Sequence, residues 1–390
     1  MNSGKRLRTF HLVAPLAARH EITFVCRRHE GSDSQSLDSF GIRTVVVNHP
    51  IRKKTGPIFY AALFNNLFSK HPYTVSSHRS PLLTDTIETL HREKPFDLVH
   101  CEWTPYAVNL GGLWKIPSVV DAHNVESMIW KRNYEIEGHL LRKAFFRLQW
   151  QKMHRFERQT LPRFSRVVAV SEPDRAVMSG WVEPGRIDIV DNGVDTEYFK
   201  PSGVQPKPHS MVFTGSLDWR PNVDAMLYFL ESIWPIIRGR HPEATIAIVG
   251  RNPMDALREK AAGLPGVDLV GTVDDVRPYM ARAAVFVVPL RIGGGSRLKI
   301  LEAMAMEKAV VSSVVGAEGL EVADAENILL ADSPNAFATA VGKLFEEREL
   351  RKRLETAGRT LARRRYEWSG LSRKLEKVWG EATAHSRVAN

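Results

Sequence analysis

The amino-acid sequence predicts an α/β protein built from two Rossmann-like domains whose parallel sheets face a cleft. Three observations carry this reading. Short apolar, β-branched runs alternate with longer helical patterns along the chain. That alternation marks parallel sheets covered on both faces. Residues 200–210 (KPSGVQPKPHS) hold three prolines, one glycine and no periodicity, and so read as a linker. The 390 residues also exceed one ordinary domain of roughly 100–200 residues.

In the first half the strand runs are 22–26, 43–47, 97–101, 117–121, 166–170 and 187–190. In the second they are 211–214, 244–249, 267–270, 285–288, 309–313 and 328–330. Helical patterns at 81–92, 140–160, 222–240, 254–262, 297–306 and 334–345 separate many of them. The expected division is a first domain over 1–200, the linker over 201–210, a second domain over 211–366, and a helical tail over 367–390. A doubly wound domain opens with a buried strand, a glycine loop and a helix. Here Ser3-Gly4-Lys5-Arg6 reads as the loop and 9–18 as the helix, so the first strand is expected to be missing. Its neighbours would then carry unpaired backbone groups.

Composition narrows the classes. Hydrophobic content is 43% and charged content 25%, a soluble globular profile. No apolar run approaches the roughly 20 residues that span a bilayer. The polar, basic start lacks a signal-peptide core, so the cytoplasm is the expected location. Cys26 and Cys101, the only cysteines, suggest neither a zinc site nor a disulfide framework. A net charge of +10 favours anionic partners without choosing among them. Much of that charge lies at 142–166 and 348–365, read either as solvated helix faces or as contact with a membrane or polyanion. The stretch 140–164 mixes Arg and Lys with Phe and Trp. It suits a membrane surface, or the packing of Leu141, Phe145, Leu148 and Phe156 on the first sheet. No nucleic-acid recognition motif is present.

The run 289–302 (PLRIGGGSRLKILE) is the most informative. A buried strand ends at Pro289, three glycines follow, and a helix starts near Ser296. Free amides and the positive end of the helix dipole gather there, so a diphosphate fits against Gly294, Gly295 and Ser296. Arg297 and Lys299 add positive charge that opposes the dipole unless an anion is bound. Glu302 lies further along the same helix, as a ribose ligand or an ordinary surface carboxylate. Phe213-Thr214-Gly215 runs a strand into a glycine turn, where the backbone either approaches a ligand or simply reverses. His123 follows the strand 117–121 at its carboxyl end, as a cleft-facing group or a structural histidine. Asp274 and Asp275 precede a helix and read as a cap rather than a metal pair. Ser171 reads as the cap of a scaffold helix.

On these residues the chain resembles glycosyltransferase family 4, of the GT-B fold. The specific part is Lys299-Ile300-Leu301-Glu302-Ala303-Met304-Ala305 with its glycine loop, followed by Ala309-Val310-Val311-Ser312-Ser313 and Gly316-Ala317-Glu318-Gly319-Leu320. Phe213-Thr214-Gly215, Asp191-Asn192-Gly193-Val194-Asp195 and Val170-Ser171-Glu172 extend the match to nearly the whole chain. The resemblance implies a retaining, metal-independent hexosyltransferase, with a nucleotide-diphosphate sugar as co-substrate and no other cofactor. The implied acceptor is a saccharide or lipid-linked oligosaccharide of cell-surface polysaccharide synthesis, reached at the cytoplasmic face of a membrane. It assigns Glu302 to the ribose, His123 to the donor sugar, and Gly4 to a loop near the donor phosphate and acceptor. The first glutamate of the family's E-x₇-E pair is replaced by Gly294. Ser216 stands where the family has an arginine, and Asn222 lies near the position of its lysine. Arg220, Arg297 and Lys299 are the implied replacements. A non-catalytic nucleotide-sugar binder is the alternative.

Overall fold

The structure, a computed structural model, describes residues 4–28, 35–50, 55–292 and 297–388. Its contacts divide the chain into two units, Met1–Asp191 with Leu371–Asn390, and Asn192–Gly370. The division comes ahead of residues 201–210. Val194 explains why: its amide donates to the Tyr366 carbonyl at 2.7 Å, it bridges to Glu367, and its side chain is buried in the second core.

In the first unit the strands are β1 (Thr23–Arg27), β2 (Arg43–Val47), β3 (Val99–Glu102), β4 (Ser118–Ala122), β5 (Arg166–Ala169) and β6 (Ile187–Ile189). They form two separate parallel sheets, β1-β2 and β3-β4-β5-β6. Among the described residues β1 pairs only with β2, and β3 only with β4. Every residue of β4 is buried, as its SVVDA sequence requires in a strand covered on both faces. Asp121 is the one charged residue in it, and a buried charge demands a partner.

That partner comes from the helix Gly4–Val13. It starts five residues before the expected Thr9 and turns the supposed loop at Gly4 into its first residue. Lys5, Arg6, Leu7 and Arg8 are good helix formers with no breaker among them, so the helix continues back through them. The end of the helix Trp368–Val388 belongs to this unit too: Ser372 Oγ donates to the Leu12 carbonyl at 2.8 Å.

The hairpin of Glu126–Ile136 and Leu140–Thr160 also lies in the first unit. Gln149, Met153, Phe156 and Thr160 are the buried side of the longer helix. Phe156 is buried, but in a cluster with Val75 and Met153 against Val108 and Trp130 that contains no strand residue, and Leu141 is exposed. Phe145 and Leu148 are half-buried, Phe145 with its ring edge-on to Trp130. Ser171 caps Glu172–Met178 through the amide of Asp174, as its sequence position suggests.

The second unit is one six-stranded parallel sheet. Its strands are β7 (Ser210–Thr214), β8 (Thr245–Val249), β9 (Val267–Gly271), β10 (Val285–Val288), β11 (Ala309–Ser312) and β12 (Leu329–Leu330), in the order β12-β11-β10-β7-β8-β9. β10, VFVV, is wholly buried at its centre. The helix expected over 222–240 is broken into Arg220–Tyr228, a π turn Phe229–Ile233, and Trp234–Arg240. Pro235 has no N–H for the Glu231 carbonyl, and its ring widens the preceding turn. Asp275 accepts the Arg277 amide at 2.9 Å and pairs with its guanidinium, which keeps its carboxyl below the usual range. No helix among the described residues is long and apolar enough to cross a membrane.

Candidate functional site

In the second unit the polar groups gather where β7 ends. Gly215 donates its amide to Val249, and a side chain on Gly250 would meet the Gly215 carbonyl at 1.7 Å. Two glycines therefore let the ends of β7 and β8 touch. On its other side Gly215 leaves room for two side chains: a Cβ there would lie 2.7 Å from Lys299 Nζ and 2.8 Å from Asn222 Nδ2. Lys299 Nζ donates to Asn222 Oδ1 at 2.8 Å, and Asn222 Nδ2 donates to the Ser216 carbonyl at 2.9 Å. The ammonium also stands 4.1 Å from the centre of the Phe213 ring. A cation is thus oriented by an amide, a ring and a glycine-lined turn.

Lys299 and Glu302 share the helix Leu298–Ala305, three residues apart and half-buried. Burial pushes the Lys299 ammonium down to about 7, with Glu302 opposing that fall and Arg297 adding to it. Burial pushes the Glu302 carboxyl up to about 7, against the pull of Lys299. Among the described residues the Glu302 carboxyl has no hydrogen-bond partner. Both groups are poised for a ligand that supplies opposite charge to one and hydroxyls to the other.

Arg297 sits differently from the expected diphosphate anchor. It is the residue before the helix, is buried, and donates from Nη2 to the Val315 carbonyl at 2.9 Å and to Glu318 at 3.2 Å. A guanidinium at a helix N-terminus meets an unfavourable dipole, which the carbonyl and carboxylate offset. Arg297 is therefore a brace between the helix and the 315–318 segment. Arg220 opens the helix Arg220–Tyr228 and is exposed, with no partner among the described residues. Arg251, which sequence reasoning passed over, donates from Nε to Ser216 Oγ at 2.8 Å. It brings a cation to the end of β7 from the loop after β8. Gly294, Gly295 and Ser296 lie outside the described residues.

In the first unit His123 is buried just beyond β4. Its Nε2 is 3.0 Å from Glu102 Oε2, at the end of the neighbouring β3. Glu102 Oε1 lies 3.2 Å from His100 Nε2, and Oε2 accepts from Thr9 Oγ1 at 2.9 Å. Burial alone would raise the Glu102 carboxyl, but the hydrogen bonds of His100 and His123 hold it well below the usual range. Beside it Arg8 forks Asp121, with Nε at 2.9 Å from Oδ2 and Nη2 at 3.2 Å from Oδ1. One signal for this cluster was available in the sequence. In a strand, His100 and Glu102 share a face, and two polar groups at a strand's carboxyl end point to a site. Gly4 opens a helix, so it does not form the phosphate loop assigned to it.

Among the described residues, two groups of side chains have metal-ligand types close together. In His100, Glu102 and Asp121 the last is already neutralised by Arg8, which leaves little need for a cation. His209, His241 and Glu243 precede β7 and β8, at the opposite strand ends from Gly215, and His209 Nδ1 is bonded to Glu243 at 2.8 Å.

Comparison with known proteins follows the same division. Residues 6–198 match the family profile described as Glycosyltransferase Family 4, and residues 208–347 match that described as Glycosyl transferases group 1. The phosphatidyl-myo-inositol mannosyltransferase of Mycolicibacterium smegmatis is 31% identical over 199 residues, 49% of this chain and 50% of that one. The chain thus spans about half the length of this curated relative. The D-inositol 3-phosphate glycosyltransferase of Frankia alni is 26% identical over 60% of this chain and 63% of its own. Among solved structures, Anabaena HepE in complex with UDP and glucose shares the fold, with a TM-score of 0.67 at 15% identity, over 97% of this chain and 96% of that one. With a split of profiles that follows its two parallel-sheet units, the chain belongs to glycosyltransferase family 4 and has its GT-B fold.

Proposed function

We propose that this chain transfers a hexosyl group from a nucleotide-diphosphate sugar to a saccharide or lipid-linked acceptor, with retention of configuration and without a metal. The single observation that carries the reading is the Lys299–Glu302 pair, a half-buried cation and a carboxyl without a hydrogen-bond partner among the described residues, on the first turns of one helix. Relatives named as glycosyltransferases and a fold-mate solved with UDP and glucose support it. Departure of the sugar builds negative charge on the diphosphate and positive charge on the ring. Lys299, with Arg251 near the same turn, offsets the first, and the Glu302 carboxylate accepts from ribose hydroxyls. No side chain is placed as a nucleophile. In this scheme a leaving phosphate oxygen takes the proton of the incoming hydroxyl, and attack comes on the face just vacated.

The test is turnover of a nucleotide-sugar panel in the presence of a strong chelator, with the product anomer read by NMR. Release of nucleoside diphosphate and a retained anomer are expected. An inverted product or abolition by the chelator contradicts the mechanism. Tight nucleotide binding without turnover of any donor favours the non-catalytic binder, the reading that Gly294 at the first-glutamate position supports.

We propose further that the first unit meets a membrane surface. Ile58, Tyr60, Phe64 and Phe68, in and just beyond the helix Pro57–Asn66, are 72%, 68%, 63% and 81% exposed. Their helix is docked, because Lys152 Nζ donates to the Asn66 and Leu67 carbonyls and Gln149 bonds the Asn66 amide. No acidic residue occurs over 39–84, where six Lys and Arg do. An exposed aromatic stripe in an acid-free, basic stretch suits an anionic bilayer surface. Flotation with vesicles containing 30% phosphatidylglycerol is expected to carry the protein, and F64S/F68S to bind at least roughly tenfold more weakly. Failure of the unmodified protein to float, or unchanged binding by the variant, contradicts this surface.

A further inference from the structure

The hydrogen bonds around Glu102 have a direction that the donors dictate. An indole N–H can only donate, and Trp379 Nε1 lies 3.0 Å from His100 Nδ1. His100 Nδ1 therefore accepts, and its hydrogen sits on Nε2, 3.2 Å from Glu102 Oε1. The second oxygen of Glu102 receives Thr9 Oγ1 and faces His123 Nε2 at 3.0 Å. An acid held in its ionised form accepts only, so His123 also carries its hydrogen on Nε2. The remaining nitrogen, His123 Nδ1, is buried and has no hydrogen-bond partner among the described residues. In the neutral ring this atom presents a lone pair. The group that completes it is a donor, and a sugar hydroxyl is such a donor.

We infer that Glu102 is a positioning residue that fixes the tautomer of His123, so that Nδ1 accepts from a hydroxyl of the bound sugar. The inference rests on the glycosyltransferase reading for the identity of the ligand, and on the structure alone for the tautomer. His100 and Trp379 extend the chain: by fixing the donor at Oε1 they deny Glu102 the opposite arrangement. Arg8 neutralises Asp121 next door, which leaves the Glu102 charge to the two imidazoles. Unlike a structural histidine with both nitrogens satisfied, His123 has one side fully specified and the other left for the ligand.

The substitution Glu102→Gln separates the possibilities. Glutamine keeps the shape but has one acceptor oxygen. Trp379 holds His100 as a donor, so the oxygen must face His100 and the amide N–H₂ must face His123. His123 then accepts at Nε2 and carries its hydrogen on Nδ1, offering the sugar a donor where an acceptor was needed. Ring ¹⁵N shifts of His123 at alkaline pH are expected to show Nε2–H in the unmodified protein and Nδ1–H in Glu102→Gln. With a turned-over nucleotide sugar, kcat/KM is expected to fall roughly 10- to 100-fold. Affinity for the free nucleoside diphosphate is expected to stay unchanged, because it lacks the sugar. A deoxy donor lacking the contacted hydroxyl should lose activity with the unmodified protein and little more with the variant.

An Nδ1–H tautomer in the unmodified protein, or an unaltered tautomer in Glu102→Gln, overturns the inference whether or not turnover is found. A variant with full kcat/KM on the intact donor overturns it too. Should Glu102→Gln fail to fold, the ring shifts of the unmodified protein still decide the tautomer. The deoxy-donor comparison on His123→Ala then decides the contact: an undiminished penalty for the missing hydroxyl overturns it, and a lost penalty supports it.

Discussion

Arg8→Met is expected to destabilise the first unit by about 3–5 kcal/mol, the cost of leaving a buried charge without its partner. Both side chains of the Arg8–Asp121 pair are almost wholly shielded, at 2% and 0% exposure. Besides its fork on Asp121, Arg8 donates from Nη1 to the Asp191 carbonyl at 2.7 Å and from Nη2 to the Val190 carbonyl at 2.8 Å. One guanidinium thus ties the first helix to β4 and to the segment following β6. Methionine fills the space but leaves the Asp121 carboxylate and two carbonyls unsatisfied. The double variant Arg8→Met/Asp121→Leu should recover a large part of the loss, because replacing both members of a buried pair is far milder than removing one. Urea unfolding followed by tryptophan fluorescence measures this. A single variant within 1 kcal/mol of the parent, on the order of a surface change, contradicts the role given to Arg8.

Lys299→Met is expected to weaken nucleoside-diphosphate binding roughly 10- to 100-fold, the usual worth of hydrogen bonds to a charged group. The pH dependence follows from the two shifts. The Lys299 ammonium, held down to about 7, is charged below that pH and loses its proton above it. A bound diphosphate favours the charged form, so binding takes up a proton near and above neutrality and fails where Lys299 stays neutral. Glu302, held up to about 7, is protonated below that pH and poorly able to accept ribose hydroxyls. Ligand affinity is therefore expected to peak near neutrality and fall on both sides, with the alkaline limb lost in Lys299→Met.

Without ligand the signs are opposite. The raised Glu302 lowers stability as pH climbs from its unfolded value of about 4.3 towards 7. The depressed Lys299 lowers stability below about 7 and ceases to do so as pH rises to about 10.4.

Much of the fold was legible because strand runs and helical periods are local. β10 reads as buried from four apolar residues, and the cap at Ser171 from one hydroxyl before a helix. Glu302 and Lys299 were legible because they follow a glycine loop into a helix. The pairs that give them meaning were not. Lys299 meets Asn222 across 77 residues, Arg8 meets Asp121 across 113, and Trp379 meets His100 across 279. No periodicity encodes such pairings; they are set by which strand ends the parallel topology brings together. Arg297 illustrates the same limit. Its position beside Lys299 suggested a shared duty, but Glu318 supplies a carboxylate that turns it into a brace. The helix at Gly4 was missed because a glycine before basic residues resembles a loop, while Asp121, the charge that holds that helix in place, lies on a distant strand.

The claim on which the account depends is that a nucleotide diphosphate binds in the second unit between the end of β7 and the helix Leu298–Ala305. Hydrogen exchange read by mass spectrometry, with and without saturating UDP, GDP or ADP, tests it most directly. At least one of these should slow exchange over 213–222 and 298–305, and Glu302→Ala should weaken that protection. Protection by none of them, or protection confined to the first unit, would contradict the account.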